Sequence, residues 1–143
     1  MTSFDFFEYR KNELFCEDVR VKEIVEKVGT PAYVYSKNSI LTHFNEIRDA
    51  FSEVEPLICF SVKSNSNLSI CKVLADAGAG FDVVSGGELF RVLELGVSPD
   101  KIVFAGVGKT SEEIKYALEN DIFMFNVESP SELANIDRIA KEL

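Results

Sequence analysis

From Pro31 onward, short apolar runs alternate with stretches in which apolar residues recur every three or four positions, the pattern of strands followed by amphipathic helices. PAYVYS (31–36) reads as a strand, and SILTHFNEIRDAFSEV (39–54) as a helix with Ile40, Phe44, Ile47 and Phe51 on one face. LICFSVK (57–63) is the next strand. Three further units follow, with strands GFDVVS, KIVFAG and IFMFNV beginning at residues 80, 101 and 122 and a helical stretch after each. Such alternation predicts a parallel α/β fold. Successive crossovers of one hand curl the units the same way, into a barrel or a doubly wound sheet.

Capping signals support the helix starts independently of the apolar pattern. Ser85-Gly-Gly-Glu88, Thr110-Ser-Glu-Glu113 and Ser129-Pro-Ser-Glu132 each match S/T-x-x-E just after a strand. Pro130 falls at a first helical position, where its missing N–H costs nothing. Gly78 and Gly96 are placed to close the helices before them. Residues 1–30 differ: FFEYRKNELFCEDV predicts a hairpin turning at Lys11-Asn12, and VRVKEIVEKVG a helix ending at Gly29. The expected organisation is an N-terminal segment, 1–30, and a barrel-like part, 31–143. Four strand and helix pairs from Leu57 are half of a (β/α)8 barrel, which takes roughly 250 residues. The helical pattern runs to Leu143 without a C-terminal cap, so the expectation is a truncated chain, with a small four-stranded sheet as the alternative.

Composition narrows the function classes. The 143 residues are 46% hydrophobic with twelve Phe, enough for a packed core. A net charge of −9 argues against nucleic acid and anionic lipid as partners. No apolar run approaches the roughly 20 residues of a membrane span. The start MTSFDFFEYRKNELF lacks the basic and apolar regions of a signal peptide, so a cytoplasmic protein is expected. Three cysteines (Cys16, Cys59, Cys71) without C-x-x-C, and the single His43, argue against a zinc cluster, a disulfide framework or a Cys/His dyad.

Ligands in parallel α/β folds collect at the carboxyl ends of the strands. The strand at 57–63 ends on Lys63, and its period of two puts Cys59, Ser61 and Lys63 on the face opposite Ile58, Phe60 and Val62. Desolvation at the mouth of a barrel favours a neutral amine, the form that attacks a carbonyl. Asp82, between Phe81 and Val83, is expected to share that interior on the adjacent strand and to orient Lys63 by a charge-assisted hydrogen bond. The blander reading is an exposed strand-end lysine. Ser85-Gly86-Gly87-Glu88 reads as a cap rather than a phosphate cradle, since a Walker lysine and a full G-x-G-x-x-G are both missing. Gly106-Val107-Gly108-Lys109 reads as a mobile loop or a site, Asn126 and Glu128 as polar rim, His43 as a surface residue, and Cys59 and Cys71 as core.

Two longer stretches carry a resemblance. Cys59-Phe-Ser-Val-Lys-Ser-Asn-Ser-Asn67 and Ala77-Gly-Ala-Gly-Phe-Asp-Val-Val-Ser-Gly-Gly-Glu-Leu89 closely resemble the pyridoxal-phosphate-dependent diaminopimelate decarboxylases. Gly29-Thr-Pro-Ala-Tyr-Val-Tyr35, Phe104-Ala-Gly-Val-Gly-Lys-Thr-Ser-Glu-Glu113 and Phe125-Asn-Val-Glu-Ser-Pro-Ser-Glu-Leu133 extend it over nearly the whole chain. The resemblance implies an alanine-racemase-like fold: a TIM-type barrel, here about its first half, with a β domain built partly from residues 1–30. It also implies a homodimer, pyridoxal 5'-phosphate as cofactor, Lys63 as the residue that carries it, and Asp82 as the aspartate beside that lysine. Phe60 fits the family's aromatic three residues before the lysine, whereas Ser61 and Ser64 stand where the family usually has Ala.

By the same resemblance, the phosphate-binding glycine loop, the carboxylate facing the pyridine nitrogen, the ring-stacking histidine and the substrate-binding residues lie beyond residue 143. The implied reaction of the complete form is conversion of meso-2,6-diaminopimelate to L-lysine and carbon dioxide. The rival enzyme readings are ornithine and arginine decarboxylases of the same fold. A rival of another class is a catalytically incomplete fragment, a binding or interaction remnant whose open sheet edges invite association.

Overall fold

The computed structural model describes residues 6–143. Residues 1–5, part of the expected N-terminal segment, lie outside them. The chain divides into two compact units, Met1–Glu55 and Pro56–Leu143.

The first unit holds an antiparallel sheet of β1 (Phe7–Arg10), β2 (Glu13–Cys16) and β3 (Val19–Arg20), followed by α1 (Val21–Val28) and α2 (Lys37–Ala50). The hairpin turns at Lys11 and Asn12, both at positive φ, the conformation a two-residue turn between twisted strands requires. The strand expected at 31–36 does not form. These residues make no ladder, because no neighbouring strand offers them partners among the described residues, and Tyr33 is left 91% exposed. Glu17, at the second turn, accepts hydrogen bonds from Ser36 Oγ (2.7 Å) and from Asn38 N and Nδ2 (both 2.9 Å), which ties the start of α2 to the hairpin. Residues 31–55 lie in this first unit.

The second unit alternates β4 (Cys59–Ser61), α3 (Leu68–Asp76), β5 (Gly80–Val83), α4 (Gly86–Glu94), β6 (Ile102–Phe104), α5 (Ser111–Glu119), β7 (Met124–Phe125) and α6 (Pro130–Glu142). All pairings are parallel, and the spatial order β4-β5-β6-β7 follows the chain. A doubly wound sheet reverses its order at a switch point. No reversal occurs among the described strands, so the winding is that of a barrel. Phe81, Val83, Ile102 and Phe104 are fully buried together with Leu89, Val92 and Ile114 of the helices. The Phe60 ring meets Phe81 edge-on at 6.3 Å, and Phe104 stacks on Phe125 at 6.0 Å.

The caps form where the sequence places them. Ser85, Thr110 and Ser129 accept from the backbone N–H of Glu88, Glu113 and Glu132, and Thr110 with Glu113 closes a full capping box. Among the described residues, no helix is long and apolar enough to cross a membrane.

Candidate functional site

The carboxyl ends of β4 and β5 bring together the residues singled out for chemistry. Ser61 lies opposite Asp82 in the parallel register, and its Oγ donates to Asp82 Oδ2 at 2.8 Å. Phe60 packs on Phe81, so Ser61 and Asp82 occupy the other face of the sheet, as a period of two requires. Cys59 shares that face. Burial pushes its thiol pKa up, and the neighbouring Asp82 carboxylate pushes the same way.

The strand ends earlier than expected. Val62–Ser64 is a single 3-10 turn, closed by Asn65 N donating to Val62 O at 3.1 Å, so Lys63 sits on a turn rather than at an inward strand position. Lys63 is exposed, and the desolvation expected for it is not present. The charge-assisted bond expected between Lys63 and Asp82 is not made either: Asp82 Oδ1 is buried and has no hydrogen-bond partner. Lys63 nevertheless lies only two residues past the one that grips Asp82.

Gly80 makes this arrangement sterically possible. A Cβ there would come within 2.7 Å of Lys101 O and 2.9 Å of Cys59 Sγ. The close approach of β5 to its neighbours needs a residue without a side chain.

The glycines of Ser85-Gly86-Gly87-Glu88 serve structure, as the cap reading holds. Gly86 N donates to Glu113 Oε1 at 2.8 Å, so a carboxylate already occupies the positive end of α4. The hydrogen bonds from Gly86 N and Thr110 N hold the Glu113 pKa below the ordinary carboxylate value.

The Gly106–Lys109 loop is pinned rather than free. Lys109 Nζ donates to Gly106 O (2.8 Å), Asn126 O (2.8 Å) and Glu132 Oε1 (2.6 Å), and its side chain has no exposed surface. Sequence reasoning missed this ion pair because Glu132 already had a role as a cap residue. The usable signal was a lysine ending the loop after β6 and a carboxylate in the first turn of α6, the helix that follows the next strand. Exposed His43 has its Nδ1 2.9 Å from Ser39 O on α2. Cys71 is buried as core. Among the described residues, no group of three or more His, Cys, Asp or Glu side chains is placed to hold a metal ion.

Residues 37–143 match the family described as pyridoxal-dependent decarboxylase, pyridoxal binding domain. Diaminopimelate decarboxylase of Pseudomonas aeruginosa is 50% identical over 139 residues, which are 97% of this chain and 34% of that protein. The crystal structure of diaminopimelate decarboxylase from M. jannaschii in complex with L-lysine superposes with a TM-score of 0.94 at 40% identity, covering 99% of this chain and 34% of that one. The arginine decarboxylase of Paramecium bursaria Chlorella virus gives a TM-score of 0.72 at 26% identity, covering 83% and 33%. The chain thus spans about a third of the length of the relatives it matches. Its parallel units are the first part of the alanine-racemase-like barrel that these decarboxylases share. With a family match over residues 37–143 and the winding of the same barrel, this chain belongs to the pyridoxal-dependent decarboxylases.

Proposed function

We propose that the chain is the N-terminal portion of a diaminopimelate decarboxylase, whose complete form converts meso-2,6-diaminopimelate to L-lysine and carbon dioxide. One observation carries the reading. At the carboxyl ends of two adjacent parallel strands, a turn bearing a primary amine, Lys63, follows directly on β4, whose Ser61 donates to Asp82 of β5, and the buried Oδ1 of Asp82 lacks a donor. A buried carboxylate oxygen without a partner calls for a cation or an N–H beside it. The amine fits pyridoxal 5'-phosphate, which offers it an aldehyde. Half identity to a named diaminopimelate decarboxylase favours this substrate over arginine or ornithine.

In this reading Lys63 would hold the cofactor through Nζ, whose deprotonated form is the one able to join an aldehyde carbon, the aldehyde oxygen leaving as water. In the loaded site the open Oδ1 of Asp82 would accept from Nζ–H and orient it, and the carboxylate would carry the compensating negative charge. The cofactor, when bound, supplies the electron sink for the pair left when carbon dioxide departs. Lys63, released when substrate binds, holds a proton at Nζ that it can deliver to the product carbon. We further propose that residues 1–30 contribute to a β domain and 31–143 to the barrel, in a cytoplasmic homodimer.

The test is carbon dioxide release by the full-length protein, loaded with pyridoxal 5'-phosphate, from meso-diaminopimelate, L-ornithine and L-arginine. Turnover of diaminopimelate alone, lost in Lys63→Ala, is the expected result. Preference for ornithine or arginine would overturn the substrate, and unimpaired turnover by Lys63→Ala would overturn the site. Turnover by the 143-residue chain itself would contradict the reading of an incomplete site.

A further inference from the structure

We infer that Ser61 is a positioning residue that fixes the Asp82 carboxylate so that its free oxygen faces the chemistry of the Lys63 turn; this rests on the reading of that site proposed above. The argument begins with a division of labour within one carboxylate. Asp82 Oδ2 takes the Ser61 hydroxyl at 2.8 Å, whereas Oδ1 is buried and takes nothing. An aspartate held at one oxygen has lost its freedom to rotate, so the direction of the other is set. An ionised carboxylate only accepts, so the hydroxyl proton of Ser61 is committed to this bond.

The second half of the argument concerns the turn. Ser61 is the last residue of β4, and its carbonyl accepts from Ser64 Oγ at 2.7 Å across the turn that carries Lys63. Ser61 therefore grips β5 with its side chain and the Lys63 turn with its backbone. Carboxylate and amine are referenced to one residue. Neither Phe60 nor Val62 can do this, because Phe60 packs on Phe81 and Val62 is fully buried. Ser61 touches no reacting atom, so its effect must pass through Asp82.

That dependence gives the test. In the full-length protein stripped of cofactor, the rate of pyridoxal 5'-phosphate uptake is followed by its visible absorbance for the natural protein, Ser61→Ala, Ser61→Thr, Asp82→Asn and Ser61→Ala/Asp82→Asn. Ser61→Ala is expected to slow uptake about tenfold to a hundredfold, the size of one hydrogen bond to a charged group. Ser61→Thr keeps the hydroxyl and is expected to recover most of the rate. On the Asp82→Asn background, Ser61→Ala should cost nothing further, since the carboxylate it positions is gone. An unchanged rate in Ser61→Ala, or an equal loss on both backgrounds, would overturn the inference. Failure of the functional reading looks different: the natural protein itself would gain no absorbance that Lys63→Ala lacks. The coupling of Ser61 to Asp82 would then still be measured as non-additive thermal midpoints of the cofactor-free variants.

Discussion

Lys109 Nζ donates to Glu132 Oε1 at 2.6 Å, joining the loop after β6 to the first turn of α6, and the lysine side chain is wholly buried. All three ammonium protons are used, two of them on the carbonyls of Gly106 and Asn126. The arrangement is satisfied throughout, which is the condition under which a buried charge is tolerated.

Removing one partner should therefore be severe. Lys109→Met is expected to cost about 3 kcal/mol or more, because it strands the Glu132 carboxylate and two carbonyls. Replacing both as Lys109→Met/Glu132→Leu should cost less than the lysine change alone. Chemical denaturation of the three proteins checks this, and equal losses in the single and double variants would contradict it.

Glu113 links two helix starts and makes stability depend on pH. Its Oε1 accepts from Gly86 N at 2.8 Å and its Oε2 from Thr110 N at 3.0 Å, and these bonds hold its pKa below the ordinary 4.5. A carboxylate with a lowered folded-state pKa stabilises above its unfolded value and loses that contribution as the pH falls through the folded one. The loss from this group thus begins below about pH 4.5. Glu113→Gln should flatten the acid limb of the stability curve while changing stability at pH 7 more than at acid pH. Thermal midpoints of the two proteins between neutral and acid pH decide it, and parallel curves would refute it.

What the sequence disclosed depended on how local the physics was. Ser85, Thr110 and Ser129 were legible as caps because a cap is made within four residues of chain. Lys11 and Asn12 were legible as a turn for the same reason. The facing of Phe60 away from Ser61 followed from strand period alone. The strand expected at 31–36 failed because a ladder needs a neighbour, and two-residue β3 carried too little pattern to be seen. Lys63 was misplaced by a local event, the tightening of 62–64 into a 3-10 turn, that apolar alternation does not encode. The Lys109 pair spans 23 residues. Nothing in its immediate surroundings marks a Gly-x-Gly-Lys loop as fixed rather than mobile.

Gly80 tests how closely β5 must lie to its surroundings. Its φ is not in the left-handed region, so any cost of adding a side chain is steric. An alanine Cβ would press on the Lys101 carbonyl at 2.7 Å and on Cys59 Sγ and Leu57 Cδ1 at 2.9 Å. The backbone oxygen cannot swing away as a side chain could. Gly80→Ala is expected to destabilise by about 1–3 kcal/mol, as overpacking does. Denaturation measures the loss, and an unchanged midpoint would show that the strand can shift.

In the first unit, Glu17 carries the comparable role for α2. The Ser36 hydroxyl caps that helix by accepting from Ser39 N at 2.9 Å, and it donates its own proton to Glu17 Oε1 at 2.7 Å. Ser36 is buried, so a lost partner is not replaced freely by water. The hydrogen bonds from Ser36 Oγ and Asn38 N hold the Glu17 pKa below the ordinary carboxylate value, and this contribution too fades as the pH falls through the folded value. Glu17→Ala and Ser36→Ala should each cost about 1–2 kcal/mol, and the pair less than the sum, because the two side chains act through one shared bond. Amide hydrogen exchange should show the first turn of α2 opening more readily in both single variants, while the first turn of α3, capped by its own Asn67, keeps its protection. Equal loosening of both helices would mean that Glu17 supports the whole fold rather than one helix start.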